Sequence, residues 1–309
     1  MKIIFMGSTE GALLCLKKLV DEGFHIEAVI TQPDRPAGRG RKIVSPPLKP
    51  YALEKGIKIF QPEKIKEPSF FETLKGLSPD LIVVVAYGKI LPEEILNLPP
   101  MKCINLHASL LPRYRGAAPV NWAIINGEKE TGVTTQLMAK ELDAGDILLQ
   151  EKEEIRPNDT AASLLDRLMK KGAFLLVETI RKWEKGEITP QPQDESAVSY
   201  APMLKKEDGL INWHRKAEEI ENQVRGTNPW PGAFTYLTSE KKERLKIWSC
   251  RALARSYEKE PGSIWIENKR LIITTGSGVV ELLEVQPENK KRMKAEQYIQ
   301  GYKLPDRFF

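Results

Sequence analysis

The sequence predicts an α/β protein carrying a second, smaller β domain. A doubly wound, mostly parallel Rossmann-like sheet is expected over residues 1–188, a linker over 189–207 and a small C-terminal OB-like β-barrel over 208–309. Three observations carry this reading. Short apolar runs alternate with segments of helical periodicity through the first half, the mark of βα units. Residues 81–85 (Leu-Ile-Val-Val-Val) are apolar without a break, as in a parallel strand buried on both faces. Beyond residue 207, short strand-like runs are separated by Gly, Asn and Lys/Glu clusters, as in a small barrel.

The elements follow in order. Residues 2–7 read as a buried strand and 11–20 as a helix with Gly23 as its stop. A strand at 25–31 leads into a long loop. A helix near 47–55 then closes at Gly56, and a strand follows at 57–60. After the run at 81–85 comes a short apolar strand from Cys103. Two later strands near 133–138 and 146–150 flank a turn. A helix over about 160–184 is preceded by Asn158-Asp159-Thr160, good N-cap chemistry, and followed by Gly186. Residues 187–207 have no period and carry Pro and small polar residues, so they read as a linker. A helix near 215–225 ends in the rigid turn Asn228-Pro229-Trp230-Pro231-Gly232. Strands follow near 233–237, 245–249, 263–267, 270–275 and 279–286.

Composition excludes several classes. The chain has 309 residues, 41% of them hydrophobic, and no run of 18 apolar residues, so no membrane partner is expected. The opening Met-Lys-Ile-Ile-Phe-Met-Gly turns polar too soon for a signal peptide. Cys15, Cys103 and Cys250 are odd in number and widely spaced, which argues against a disulfide framework or zinc site and for a reducing cytosol. Three scattered histidines without HExxH argue against a metal enzyme. No dimerisation signature is visible, so a monomer is the default. Residues 205–309 hold 20 Lys/Arg against 15 Asp/Glu, whereas residues 1–204 hold 27 of each. A solvated surface and an electrostatic footprint for nucleic acid both fit that bias.

The stretch that carries chemistry is Cys103-Ile-Asn105-Leu-His107-Ala-Ser109-Leu110-Leu111-Pro112-Arg113-Tyr114-Arg115-Gly116. Side chains two apart on a strand share a face, so Asn105 and His107 project together. They do so at a strand end, where open α/β sheets bind ligands. Asn105 is an amide able to donate to a developing oxyanion. Leu142-Asp143-Ala144-Gly145-Asp146 offers a carboxylate on a tight turn. Asp143 there is either a plain turn former or the partner that orients a charged His107. No Ser or Cys lies in a GxSxG-like context, so the attacking group is expected from a substrate. The first turn, Gly7-Ser8-Thr9-Glu10-Gly11, is not GxGxxG and argues against dinucleotide binding. Residues 33–42 hold Arg35, Arg39, Arg41 and Lys42 among Pro and Gly. They read either as a mobile solvated loop or as an arm that orders on phosphates.

Asn105-x-His107-x-Ser109-Leu110-Leu111-Pro112-x-x-x-Gly116, with Asp143 downstream, resembles the signature of the folate-dependent formyltransferases. These one-carbon transferases move a formyl group from 10-formyltetrahydrofolate to an amine. The resemblance spans almost the whole chain. Thr31–Lys42, Val85-Ala86-Tyr87-Gly88 and Asn228–Ala233 make it most similar to the members that formylate methionine on initiator tRNA for translation initiation. Ser8-Thr9-Glu10-Gly11 departs from the family's pattern, which bears only on local contacts of that turn. The resemblance implies the formyltransferase fold, catalysis by Asn105, His107 and Asp143, a folate co-substrate and no metal. By the same resemblance, Tyr87, Gly88, Ile90, Leu91, Ser109, Leu110, Leu111, Pro112 and Leu142 are expected in the folate pocket. Arg35, Arg39, Arg41 and Lys42 are expected on tRNA, with the C-terminal domain binding it as well. The alternative is a family member acting on a small amine, an amino sugar or water.

Overall fold

A computed structural model describes residues 1–37, 42–238, 243–255 and 258–309, with only the main chain at 37 and 42. The chain divides into two compact units. One holds residues 1–119, 130–154 and 165–201, and the other holds 120–129, 155–164 and 202–309.

In chain order the first half comprises β1 (Lys2–Gly7), α1 (Glu10–Asp21), β2 (His25–Ile30), β3 (Arg35–Ala37), β4 (Lys42–Val44), α2 (Leu48–Glu54), β5 (Lys58–Phe60), α3 (Pro68–Leu77), β6 (Leu81–Val85), α4 (Glu93–Leu96), β7 (Cys103–His107), α5 (Pro119–Ile125), β8 (Glu130–Leu137), β9 (Ile147–Glu154) and α6 (Ala161–Glu184). The seven-stranded sheet of the first unit runs β5-β2-β1-β6-β7-β8-β9. Pairings from β5 to β7 are parallel; β7–β8 and β8–β9 are antiparallel. The chain leaves β1 toward β2 on one side and returns to β6 on the other. The resulting crevice, at the carboxyl ends of β1 and β6, is where this class of sheet takes ligands.

Local chemistry explains the elements. The Thr9 hydroxyl caps α1 by accepting from the Ala12 N–H, and Glu10 sits at the positive end of that helix. Pro68 opens α3, where its missing N–H has no helical partner to lose. All five residues of β6 are buried. Ile4, Met6, Ala28, Ile30, Ile82 and Val84 alternate onto one sheet face, against Phe70, Leu74 and Tyr87. The expected loop at 33–42 contains the short hairpin β3–β4, paired from Arg35↔Val44 to Ala37↔Lys42. Strands of three residues with Pro36 in one of them carry no alternation for a sequence reading to find.

The second half contains α7 (Ala217–Gly226), β10 (Ala233–Tyr236), β11 (Arg244–Leu253), β12 (Ile264–Glu267), β13 (Arg270–Thr274), β14 (Val279–Pro287), β15 (Met293–Lys294) and α8 (Ala295–Gly301). These strands form one antiparallel, OB-like sheet ordered β10-β11-β14-β13-β12, with β15 also on β14. No pairing joins β10 to β12 among the described residues. Its core packs Trp213, Ile220 and Val224 against Leu245, Ile247, Leu271, Val280 and Tyr298.

Residues 189–201 are built into the first unit. Arg115 N–H donates to the Ser199 carbonyl at 2.8 Å, and Ala201 N–H donates to the Arg115 carbonyl at 2.7 Å.

Candidate active site

Strand β7 delivers Asn105 and His107 to one face at its carboxyl end, opposite Gln136 and Thr134 of β8. His107 is 6% exposed. Its Nε2 lies 2.9 Å from the Tyr114 carbonyl, an acceptor, so Nε2 carries a proton. Its Nδ1 lies 3.6 Å from Asp143 Oδ2. That gap is longer than a hydrogen bond, so the carboxylate faces the ring across a short space. The group that fixes the ring is thus a backbone carbonyl. Tyr114 presents it by adopting φ +62°, an uncommon conformation for a residue with a side chain. No sequence pattern announces that.

Asp143 sits on the turn between β8 and β9, with φ +52°. Its Oδ2 accepts from the Gly116 N–H at 2.9 Å, and its Oδ1 from Gln136 Nε2 at 3.1 Å. Asn105 Nδ2 is 3.5 Å from Oδ1. The Gly116 N–H and the Gln136 and Asn105 amides each turn a donor toward the carboxylate. Gly145 lets the turn close this tightly, because a Cβ there would lie 1.8 Å from the Leu137 carbonyl oxygen. Gly116 takes φ +124°, and a Cβ there would approach the Ala201 carbonyl to 2.7 Å. Asn105, His107 and Asp143 therefore converge, with Gln136 and the Gly116 N–H as partners that spacing alone does not reveal.

The expected pocket residues fall into two groups. Ser109 is fully buried, and its hydroxyl donates to the Arg113 carbonyl at 2.7 Å. Leu111 N–H donates to Thr134 Oγ1, and the Leu111 carbonyl accepts from Gln150. The peptide from Leu111 to Pro112 is cis. Leu91 and Tyr87 are buried, and burial pushes the Tyr87 phenol up to about 12. The Tyr87 carbonyl accepts from Gln32 Nε2 at 3.0 Å and Ser8 Oγ at 3.4 Å, tying the loops after β1, β2 and β6 together. Ser8, in the turn that departs from the family's pattern, thus has a structural task here. Ile90 and Leu142 are instead 70% and 59% exposed.

Of the basic set, Arg35 lies exposed on β3 and Lys42 begins β4. Arg39, Arg41 and the side chain of Lys42 lie outside the described residues. The hairpin's base is anchored by Asp34, which accepts from Gln61 at 2.7 Å and pairs with Lys49 at 2.6 Å. The Gln61 amide and the Lys49 ammonium hold the Asp34 carboxyl below its ordinary range. In the second unit, Lys246 and Arg292 lie 5.3 and 5.2 Å from the Trp248 ring, and Trp230 is half exposed. Among the described residues, no group of three His, Cys, Asp or Glu is placed to hold a metal.

Residues 1–180 match the family model described as formyl transferase, and residues 203–303 match formyl transferase, C-terminal domain. The chain belongs to the formyl transferase family. It is 47% identical over 307 residues to the methionyl-tRNA formyltransferase of Caldanaerobacter subterraneus subsp. tengcongensis, covering 99% of this chain and 98% of that one. Among solved structures it is similar to WlaRD, a sugar 3N-formyl transferase, with a TM-score of 0.67 and 22% identity over 94% of this chain and 99% of that one. HypX from Aquifex aeolicus, solved with tetrahydrofolic acid, aligns with 97% of this chain at a TM-score of 0.65 and 17% identity. The chain spans about half of HypX, 47% of its length. At such identities the two structures bear on the fold, and they share it.

Proposed function

We propose that this formyl transferase moves the formyl group of 10-formyltetrahydrofolate onto the α-amino group of methionine carried by initiator tRNA. The observation that carries the reading is the end-to-end identity with a methionyl-tRNA formyltransferase, combined with an Asn105–His107–Asp143 cluster at the carboxyl edge of the sheet. The neutral amine attacks the formyl carbon, and the carbonyl oxygen becomes an oxyanion. Asn105 Nδ2 and a protonated His107 Nδ1 stabilise that charge in a site largely closed to water, where fixed donors are worth most. Because Nε2 is already engaged by the Tyr114 carbonyl, Nδ1 is the nitrogen free to face substrate. Asp143 Oδ2 faces the ring at Nδ1, 3.6 Å away. It also lies where it can take a proton from the incoming amine, while the departing folate nitrogen gains one as the carbon–nitrogen bond breaks. No nucleophile of the chain enters the sequence of steps.

The folate is proposed to lie along Tyr87, Gly88, Ile90 and Leu91, Ser109 to Pro112, and Leu142. The exposed apolar side chains of Ile90 and Leu142 support that placement. Arg35, Arg39, Arg41 and Lys42 are proposed to meet tRNA phosphates. The second unit's Lys246, Arg292 and Trp248 supply the mixture of charge and aromatic face that nucleic acids take. A monomer working in the cytosol fits this reading. No helix among the described residues is long and apolar enough to cross a membrane.

The test compares acceptors. Labelled formyl transfer from 10-formyltetrahydrofolate is measured with charged initiator tRNA, a nucleotide-linked amino sugar and a small ribonucleotide amine. The tRNA is expected to be the preferred acceptor by kcat/KM. Preference for either small amine overturns the assignment.

A further inference from the structure

We infer that Gln193, gripped by the buried Arg115, is a positioning residue that holds the Asp143 turn and sets the direction of its hydrogen bonds. The inference rests on the proposed role of Asp143 and assigns a task to the segment after α6, which that role does not explain.

Arg115 is 4% exposed, and its guanidinium has donors only. Its Nε and Nη2 lie 3.0 and 2.9 Å from Gln193 Oε1. Nη2 also donates to Glu195 Oε1 at 2.8 Å, so the charge is paired. Facing two donors, the Gln193 amide has one sensible orientation: oxygen toward Arg115, nitrogen toward the turn. That nitrogen meets three acceptors, the Asp143 carbonyl at 2.8 Å, the Gly145 carbonyl at 2.7 Å and Gln136 Oε1 at 3.3 Å. The last contact turns the Gln136 amide as well, leaving its Nε2 aimed at Asp143 Oδ1 at 3.1 Å. A donor sense fixed by an arginine thus passes through two amides to the carboxylate.

The turn needs such a hold. Asp143 occupies a left-handed conformation, which persists only where its surroundings over-determine it. Its two neighbouring carbonyls converge on one amide, so Gln193 closes the turn from outside as Gly145 permits from within. Arg115 is fixed in turn by main-chain bonds to Ser199 and Ala201. Reactions that depend on oriented groups lose about 10²-fold for misplacements near 1 Å, which makes a residue that touches no substrate consequential.

The test uses the full-length enzyme with Gln193→Met, which keeps shape without polarity, and Gln193→Glu. The glutamate keeps the Arg115 contact but turns an oxygen toward the two carbonyls. For both, kcat at saturating substrates is expected to fall about 10–100-fold, with KM for folate and acceptor near the wild-type values. Thermal midpoints are expected to fall by only a few degrees, from the Arg115 donors or carbonyls left unmatched, with both variants folded at the assay temperature. A kcat close to wild type in both variants overturns the proposal. So does a loss of kcat that merely follows a raised KM or unfolding at the assay temperature. Amide hydrogen exchange over residues 138–147 separates this from the function assignment. If the wild type formylates no tRNA, that assignment fails. Faster exchange in Gln193→Met still supports the clamp, and unchanged exchange overturns it.

Discussion

Replacing Asp143 by asparagine preserves shape and volume while changing one oxygen into a donor. In the wild type, Oδ2 accepts from the Gly116 N–H at 2.9 Å and Oδ1 accepts from Gln136 at 3.1 Å. An asparagine oxygen satisfies one of these, and its NH2 then points at the other donor whichever way it is flipped. A buried donor left without an acceptor costs about 1–3 kcal/mol, and Asp143 is only 12% exposed. For a unit of this size that lowers the unfolding midpoint by roughly 2–4 °C per kcal/mol. The kinetic loss is larger, because the carboxylate charge 3.6 Å from His107 Nδ1 is removed. Weakening one preorganised electrostatic partner of the oxyanion site costs about 10²–10³ in turnover. Single-turnover formyl transfer at saturating folate, read beside a thermal melt, measures both. Near-normal turnover by Asp143→Asn would refute the role given to the carboxylate. A collapse of the fold would show that the turn, rather than the charge, was removed.

Three further outcomes are expected. Gly145→Ala places a Cβ that would lie 1.8 Å from the Leu137 carbonyl, so the turn must move and turnover should fall at least as far as in Asp143→Asn while folate still binds; unchanged turnover would show that the turn's position is unimportant. KM for tRNA should rise with salt as phosphate contacts release counterions. Arg39→Ala and Arg41→Ala should raise it too and flatten the salt slope, with folate binding as the control that stays put. In the second unit, Arg270 donates to Glu281 at 2.8 and 2.6 Å and holds its carboxyl below the ordinary range. A depressed folded pKa contributes stability above the unfolded carboxylate value of about 4.3, and that stability fades as pH falls through the folded value. The denaturant midpoint of wild type should therefore exceed that of Glu281→Gln at pH 7 and converge with it in acid; a pH-independent difference would contradict this.

How much of this the sequence discloses depends on how local the cause is. Leu81–Val85 is buried on both faces, and its continuous apolar character says so directly. Asn105 and His107 share a face because strand geometry has a period of two, and the family signature draws attention to both. Asp143 is legible as a turn residue but not as their neighbour, since 35 residues, including the antiparallel strand β8, lie between it and His107. The elements α4, α5 and α8 span only four to seven residues, and Pro36 hides the β3–β4 pairing. The contacts that orient the site escape sequence reading for another reason. The Tyr114 carbonyl belongs to the backbone, and any residue type offers one. Gln193 and Gln136 are ordinary polar residues until Arg115 gives their amides a direction. Sequence alone leaves Arg115 unassigned between a tRNA contact and a loop anchor; the structure turns it inward onto Gln193.

In the proposed mechanism fixed donors on β7, and no nucleophile of the chain, drive formyl transfer to an amine brought by tRNA. The most direct measurement is turnover of 10-formyltetrahydrofolate with charged initiator tRNA by the wild type, Asn105→Ala and His107→Ala side by side. The wild type should formylate the tRNA, and each variant should lose about 10²–10³ in kcat while remaining folded. Turnover near wild type in either variant, or a formyl group trapped on the wild-type protein itself, would contradict the claim.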